Sequence, residues 1–517
     1  MKKALISFLL VACIPFAPIT ATAQQIPFLS ELFSRYAEFN RLYSEKRRAG
    51  QNLSAIEAPR KRGEEAFKRG YLPGVLESIA ESHSLLSGKK WDERQKFIAS
   101  LTLETDRMVV EPNQVLQVSL TRMFPSNVQK ALAFAPTVTF FIVSGEAAST
   151  RSDAQSPPAL AQPLVIAERL TIAETSSNAA RKLLLPDGAY DVVALIEAGT
   201  QKLAEIRKHV YAISDFSDSI TQMSKAIAGI KSSTDAKVKA IAPLVSTPEF
   251  QLQRLAQLNK LYPEVDINPN QQIDRIEADL SKLAKGQNPF AAERGEVERA
   301  YRASDGQLVP YRVYVPKNYD GANAKPLVVM LHGALGDERY YFSELLDPAV
   351  IKGEAERRSY ILAGVNGRGR FGGYTAAGQE DVFEVITALK RDYKIDAARI
   401  YLTGHSMGGF GTWLVAASKP ETFAAIAPVS GGPPAPGDAL AALLQKLKGT
   451  PALIVHGAQD GIAPAQLSRT MAAAAEKAGL RVSYVEVPDG DHVNVVASTF
   501  PAILDFFDKN VKGTGPK

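Results

Sequence analysis

One stretch constrains this chain more than any other: Arg399-Ile-Tyr-Leu-Thr-Gly-His-Ser-Met-Gly-Gly-Phe410. Arg399 to Thr403 reads as a buried strand and Phe410 to Ala417 as a helix, with only a short Gly-His-Ser-Met-Gly turn between them. A chain that passes so abruptly from strand to helix must double back. Gly404 and Gly408 leave room where side chains would collide, and Ser406 is then held at the tip with its hydroxyl presented outward. The pentapeptide alone is a weak signal. The strand before it and the helix after it make Ser406 a candidate nucleophile.

A neutral hydroxyl is a poor nucleophile, so Ser406 needs a base within hydrogen-bond reach and an acid to orient that base. After an elbow of this type the partners follow in the order acid, then histidine. Of six histidines only His456 and His492 lie beyond Ser406. His456 ends an apolar strand, Leu453-Ile-Val-His456, and is expected to be packed there. His492 sits in Pro488-Asp-Gly-Asp-His492, a loop between the last strand and the last helix, and is the expected base. Asp460 follows the seventh strand in His456-Gly-Ala-Gln-Asp460 and is the expected acid. Asp438 falls in a Pro/Gly-rich excursion, while Asp489 and Asp491 are too near His492 along the chain. The developing oxyanion needs fixed donors. One is the amide of Met407; the other belongs to Leu331-His-Gly-Ala-Leu-Gly336, with Ala334 first and Leu335 second, and His332 bracing the loop.

Around this centre strands and helices alternate. Glu296–Ala303 and Leu308–Val315 form an antiparallel pair about Ser304-Asp-Gly306. Further strands are expected at Pro326–Leu331, Tyr360–Val365, Arg399–Thr403, Ala424–Val429, Ala452–Val455 and Val482–Val487, with helices at Gln379–Tyr393, Pro464–Ala478 and Val496–Phe507. Such alternation implies a mostly parallel eight-stranded sheet covered on both faces, with the elbow on its fifth strand.

With 517 residues the chain is too long for one core. Met1-Lys-Lys, the apolar run Ala4–Ile14 and Ala21-Thr-Ala23 make residues 1–23 an export signal. That places the mature protein in the periplasm or outside the cell. Cys13, the only cysteine, lies in that segment, in a Leu10-Val-Ala-Cys13 run that also resembles a lipidation box. The mature chain then has no disulfide, thiolate metal site or cysteine nucleophile. No later apolar run approaches the about 20 residues needed to span a bilayer. Residues 24–101 read as helices, with Leu29, Leu32, Phe33, Tyr36, Phe39 and Tyr43 on one face and Ser54-Ala-Ile-Glu57 as a capping box. From 102 to 213 the period changes to two, at Gln114–Leu120, Thr137–Val143, Tyr190–Ile196 and Lys202–Val210, with Pro186-Asp-Gly188 as a turn: a small β-sandwich. The Ala/Ser/Pro-rich stretch Gly145–Pro163 reads as a long loop. Residues 214–290 form a helical linker broken near Pro243, Pro248, Pro263 and Pro269, and 291–517 the domain with the chemistry.

Removing Lys2 and Lys3 takes the formal charge from +5 to +3, too little to argue for nucleic acid. No His/Asp/Glu cluster has metal-ligand spacing, and no cofactor is expected. Gly367-Arg-Gly-Arg-Phe-Gly372 matches a dinucleotide fingerprint, but its glycines do not open a helix, so it reads as a loop on the active-site rim. Arg368 and Arg370 there are simplest as solvated residues. With Tyr374 and Trp413 they are the candidate substrate contacts.

Residues 296–510 resemble secreted α/β-hydrolases of the polyhydroxybutyrate depolymerase, feruloyl esterase and "predicted peptidase" group, which border on the prolyl-oligopeptidase catalytic domain. The resemblance rests on Val328-Val-Met-Leu-His-Gly-Ala334, Gly378-Gln-Glu-Asp-Val382, Arg399 to Trp413 and Phe423-Ala-Ala-Ile-Ala-Pro-Val-Ser-Gly431. It implies an α/β-hydrolase fold and gives Ser406, Asp460 and His492 the nucleophile, acid and base roles. A small ester or acylated saccharide is the implied substrate. The first 290 residues show no propeller repeat, which weighs against a peptidase of prolyl-oligopeptidase type. Three functions remain open at this point: a serine esterase, a serine peptidase with the same machinery, and a cell-envelope binding protein. Oligomeric state is not written in the sequence.

Overall fold

The computed structural model describes residues 25–127, 132, 134–145, 160, 162–173, 176–258 and 267–513. The export signal and most of the Ala/Ser/Pro-rich stretch lie outside them.

Helices come first: α1 (Gln25–Arg48), α2 (Glu57–Lys68), α3 (Leu72–Leu86) and α4 (Glu93–Ser100). Leu32, Phe39, Leu76 and Ile79 form their shared core. The capping box at Ser54 does not form. Ser54 opens a 3₁₀ turn and its amide donates to Asn52 Oδ1 at 2.9 Å, and α2 starts at Glu57 with Ile56 at the cap position and no side-chain cap.

Among the described residues eight strands follow: β1 (Leu101–Thr105), β2 (Val109–Val110), β3 (Val115–Arg122), β4 (Pro136–Ser144), β5 (Leu164–Thr171), β6 (Ser176–Lys182), β7 (Gly188–Ala198) and β8 (Gln201–Ala212). They build two sheets, β1-β3-β6 and β2-β8-β7-β4-β5. Alternate residues of the two, Leu116, Val118 and Leu120 against Val138, Phe140, Ile142, Val192 and Ala194, close one core. The sequence gives no sign of β5 and β6. Ser176–Lys182 has no apolar alternation, because most of it faces solvent.

Helices α5 (Phe216–Lys231), α6 (Ala236–Ile241), α7 (Ser246–Ala256) and α8 (Pro269–Ala284) share a further core. Pro248 does not break a helix; it lies in the first turn of α7, where a missing N–H costs nothing. Pro269 opens α8 behind the cap of Asn268.

The remaining strands are β9 (Gly295–Arg302), β10 (Leu308–Val315), β11 (Lys325–Leu331), β12 (Ile361–Val365), β13 (Ile395–His405), β14 (Ala425–Val429), β15 (Ala452–Gly457) and β16 (Val482–Val487). Helices α9 (Pro348–Arg358), α10 (Ala376–Asp392), α11 (Met407–Ser418), α12 (Gly437–Lys446), α13 (Gln466–Lys477) and α14 (Asn494–Asp508) connect them. All eight strands form one sheet in the order β16-β15-β14-β13-β11-β12-β10-β9. Strands β11 to β16 run parallel, and the antiparallel hairpin β9–β10 extends one edge. Its two faces follow from residue parity: Leu327, Val329 and Leu331 pack towards α10, α11 and α13, while Val328 and Met330 pack towards α9 and α14. Because both faces are covered at the centre of the sheet, β12, β14 and β11 beyond Lys325 are apolar throughout.

Two helices were not anticipated. In α9 only Pro348, Ile351 and Ala355 are buried, too sparse a pattern to declare a face. In α12 the three-and-four spacing of Leu440, Leu443, Leu444 and Leu447 is present, but Pro and Gly on both sides disguise it as a loop.

Candidate active site

The elbow forms where β13 gives way to α11. Ser406 sits at φ 54°, ψ −116°, outside the regions an ordinary residue prefers, and is held there by its amide on the Val429 carbonyl at 2.9 Å. A Cβ on Gly404 would strike the Gly408 carbonyl, and one on Gly408 the Leu331 carbonyl. The glycines are therefore required by the close approach of three backbone segments.

His492 lies between the other two sequence-predicted residues. Its Nε2 is 3.0 Å from Ser406 Oγ and its Nδ1 is 2.6 Å from Asp460 Oδ2. Asp460 follows β15, and its Oδ1 accepts the amides of Ile462 at 2.9 Å and Ala463 at 2.7 Å. Burial alone would raise this carboxyl, but hydrogen bonds from His456 and His492 and the amide of Ala463 hold it well below the usual carboxylate range. It is ionised, and the imidazolium that would form beside it is stabilised.

The loop carrying His492 is fixed from both sides. Asp491 Oδ1 accepts the amides of Val493 and Asn494 at 3.0 and 2.8 Å, while Asn494 Oδ1 accepts the amide of Asp491 at 3.0 Å. From the far side His405 Nε2 donates to the His492 carbonyl at 2.6 Å. That bond places the proton on Nε2, so His405 Nδ1 accepts from the Tyr340 hydroxyl at 2.7 Å. Burial, with the nearby His492 ring, pushes His405 down to about 3, so it is neutral. His405 is the second residue of the G-x-S-x-G turn, and its hold on the His492 backbone was not legible. Neither was the reach of the N-terminal helices: Arg47 pairs with Asp489 at 2.7 Å and Arg60 with Asp491 at 3.3 Å.

In the loop after β11, Leu335 is not available as an oxyanion donor. At φ 69° its amide turns away and donates to the Arg370 carbonyl at 2.8 Å. Ala334 remains beside Gly333, which abuts the His405 carbonyl, and Met407 contributes the first amide of α11. His332 braces this loop, its two ring nitrogens 2.7 Å from the Gly333 carbonyl and 2.8 Å from that of Asn366.

Three expected substrate contacts are structural instead. Arg368 Nε binds Asp381 at 2.9 Å and its Nη1 binds Asp305 at 2.8 Å, pinning the rim loop to the β9–β10 hairpin. Tyr374 is wholly buried, its ring against Gly367 and Gly411. Trp413 is 1% exposed within the core, since α11 turns that face to the sheet. Arg370 is half-buried, with its charge near Asp337.

An elbow serine on the fifth strand, an aspartate after the seventh and a histidine after the eighth define the α/β-hydrolase fold. Residues 365–432 match the prolyl oligopeptidase family. Similar curated proteins include a bifunctional acetylxylan esterase/xylanase of Neocallimastix patriciarum, 30% identical over 134 residues, covering 25% of this chain and 19% of that protein. Poly(3-hydroxyalkanoate) depolymerase C of Paucimonas lemoignei is 42% identical over 50 residues, covering 10% and 12%. Venom dipeptidyl peptidase 4 of Vespula vulgaris is 25% identical over 269 residues, covering 44% and 33%. The chain thus spans a third or less of the length of these relatives. Among solved structures, a thermostable esterase aligns over 80% of this chain and all of its own, at 15% identity and a TM-score of 0.37. A mutant feruloyl esterase module from Clostridium thermocellum aligns over 42% and 92%, at 18% identity and a TM-score of 0.36.

Proposed function

We propose that this protein is an exported serine hydrolase that cleaves carboxylic esters through an acyl-enzyme. The observation that carries the reading is the placement of His492, whose two ring nitrogens reach Ser406 Oγ at 3.0 Å and Asp460 Oδ2 at 2.6 Å. Ser406 Oγ attacks the ester carbonyl as His492 Nε2 takes its proton, and Asp460 steadies the imidazolium through Nδ1. The amides of Met407 and Ala334 receive the oxyanion. His492 then gives its proton to the departing alcohol. Water, activated by the same nitrogen, releases the acid and frees Ser406.

The substrate we propose is a small ester or acylated saccharide. The local likeness to an acetylxylan esterase and to a polyhydroxyalkanoate depolymerase supports an ester. A second reading, peptide-bond cleavage, is favoured by the prolyl oligopeptidase match over residues 365–432 and by the likeness to venom dipeptidyl peptidase 4. Export is inferred from residues 1–23 alone, by their charged start and apolar run.

The test is hydrolysis of p-nitrophenyl acetate, p-nitrophenyl butyrate and methyl ferulate beside p-nitroanilide amides, with wild type and Ser406→Ala in parallel. We expect ester turnover that disappears in the variant. Amide cleavage exceeding ester cleavage would favour the peptidase instead.

A further inference from the structure

The sequence assigns His456 to packing, and it is indeed wholly buried at the end of β15. Its hydrogen bonds do more than packing requires. His456 Nε2 is 2.8 Å from the Ala463 carbonyl and 3.2 Å from Asp460 Oδ2, the same oxygen that His492 Nδ1 holds at 2.6 Å. Both neighbours of this nitrogen are acceptors, so it must carry a proton. Asp460 Oδ2 therefore faces two imidazole donors, while its Oδ1 is taken up by two amides.

On the other side of the ring, Nδ1 lies 2.7 Å from Ser468 Oγ in α13, and Ser468 Oγ lies 3.0 Å from the Gly431 carbonyl. The serine hydroxyl can give its single proton to only one of these. Whether that proton goes to the Gly431 carbonyl or to Nδ1, Nε2 keeps its own, because both of its neighbours are acceptors. Ser468, 1% exposed, thus anchors the far side of the ring to α13.

We propose that His456 is a positioning residue for the reaction proposed above. It acts through Asp460, as a second imidazole donor that fixes the carboxylate and draws part of its charge away from His492. The inference rests on the Ser406–His492–Asp460 reading only for its effect on turnover. The other titratable groups near His456 are His405 at the end of β13, His492, and Glu486, its register partner on β16, which is itself paired with Arg469 of α13. None of them competes for Asp460 Oδ2 apart from His492.

Removing the donor leaves more of the carboxylate charge on His492 and favours its protonated form. In His456→Phe, His492 should take its proton at a higher pH than in wild type. The shift should be about 0.5 to 1 unit, a fraction of what a full neighbouring charge produces. His456→Gln keeps an amide donor at this position and should stay close to wild type. The experiment is NMR titration of ¹³C-labelled histidine in wild type, His456→Phe and His456→Gln, beside the pH profile of kcat/KM for p-nitrophenyl acetate. An upward shift of His492 in the Phe variant, rescued by Gln and matched by the acid limb of the profile, supports the proposal. An unshifted His492, or a Gln variant that behaves like Phe, overturns it. If His456→Phe fails to fold, His456→Asn, polar but too short to reach the carboxylate, takes its place. The titration needs no turnover, so absence of Ser406-dependent hydrolysis in wild type would count against the function and leave the positioning role to be decided by NMR.

Discussion

Every proton of the proposed reaction passes through His492 Nε2, and the ring is aimed by what holds the rest of it: Asp460 at Nδ1 and His405 at the backbone carbonyl. His405 has a consequence for stability. Its folded value of about 3 lies below the ordinary 6.5, so between these limits the unfolded chain binds a proton that the folded chain refuses. This contribution is present above the unfolded value and is lost as pH falls through the window, at up to about 1.4 kcal/mol per pH unit. His405→Gln should therefore flatten the decline in unfolding free energy between pH 6.5 and 3, as read by urea denaturation at a series of pH values; an unchanged slope would contradict the neutral buried ring. Ser406, Asp460 and His492 were legible because chain order and element junctions fix where they must sit. His405, Tyr340 and the second histidine on Asp460 were not, because their bonds depend on which side chains meet across the sheet. The candidate substrate contacts were misplaced for a related reason: sequence sets Arg368 in the rim loop and Trp413 in the elbow helix without saying that Arg368 is ion-paired and the rings of Tyr374 and Trp413 turn inward.

Among the elements, the strand–turn–helix from β13 to α11 leaves the least freedom. Gly408 lies where a Cβ would enter the Leu331 carbonyl, part of β11 and not a flexible side chain. Gly408→Ala should displace the elbow, with loss of ester turnover and a destabilisation of about 1 to 3 kcal/mol, the usual cost of overpacking. Thermal unfolding beside p-nitrophenyl acetate hydrolysis checks both; wild-type behaviour in either would mean that the turn can relax. Strands buried on both faces announce themselves as continuous apolar runs, which is why β11 to β15 were readable to within a few residues. Elements with one weak face were not: α9 buries too few residues to show a period, and β6 exposes most of its length.

For the molecule as a whole, the part before β9 does more than precede the hydrolase fold. Strand β9 is the edge of the eight-stranded sheet, and α7 covers it. Thr247 Oγ1 accepts the Ala300 amide at 3.0 Å, and Gln251 and Arg254 bind Glu298, a carboxylate 7% exposed. Cutting these away would leave an open edge and a buried charge short of partners. A chain beginning at residue 291 should therefore aggregate or unfold at lower temperature than one beginning at residue 214. Equal melting temperatures and equal solubility of the two would contradict the covering role. The central claim is that Ser406 is the nucleophile. The most direct measurement is intact-protein and peptide mass spectrometry after exposure to a fluorophosphonate, with wild type, Ser406→Ala and His492→Ala compared. The account predicts one adduct on wild type, mapped to Ser406, absent from Ser406→Ala and much slower to form in His492→Ala. An adduct mapped to another residue, or labelling that persists undiminished in Ser406→Ala, would contradict it.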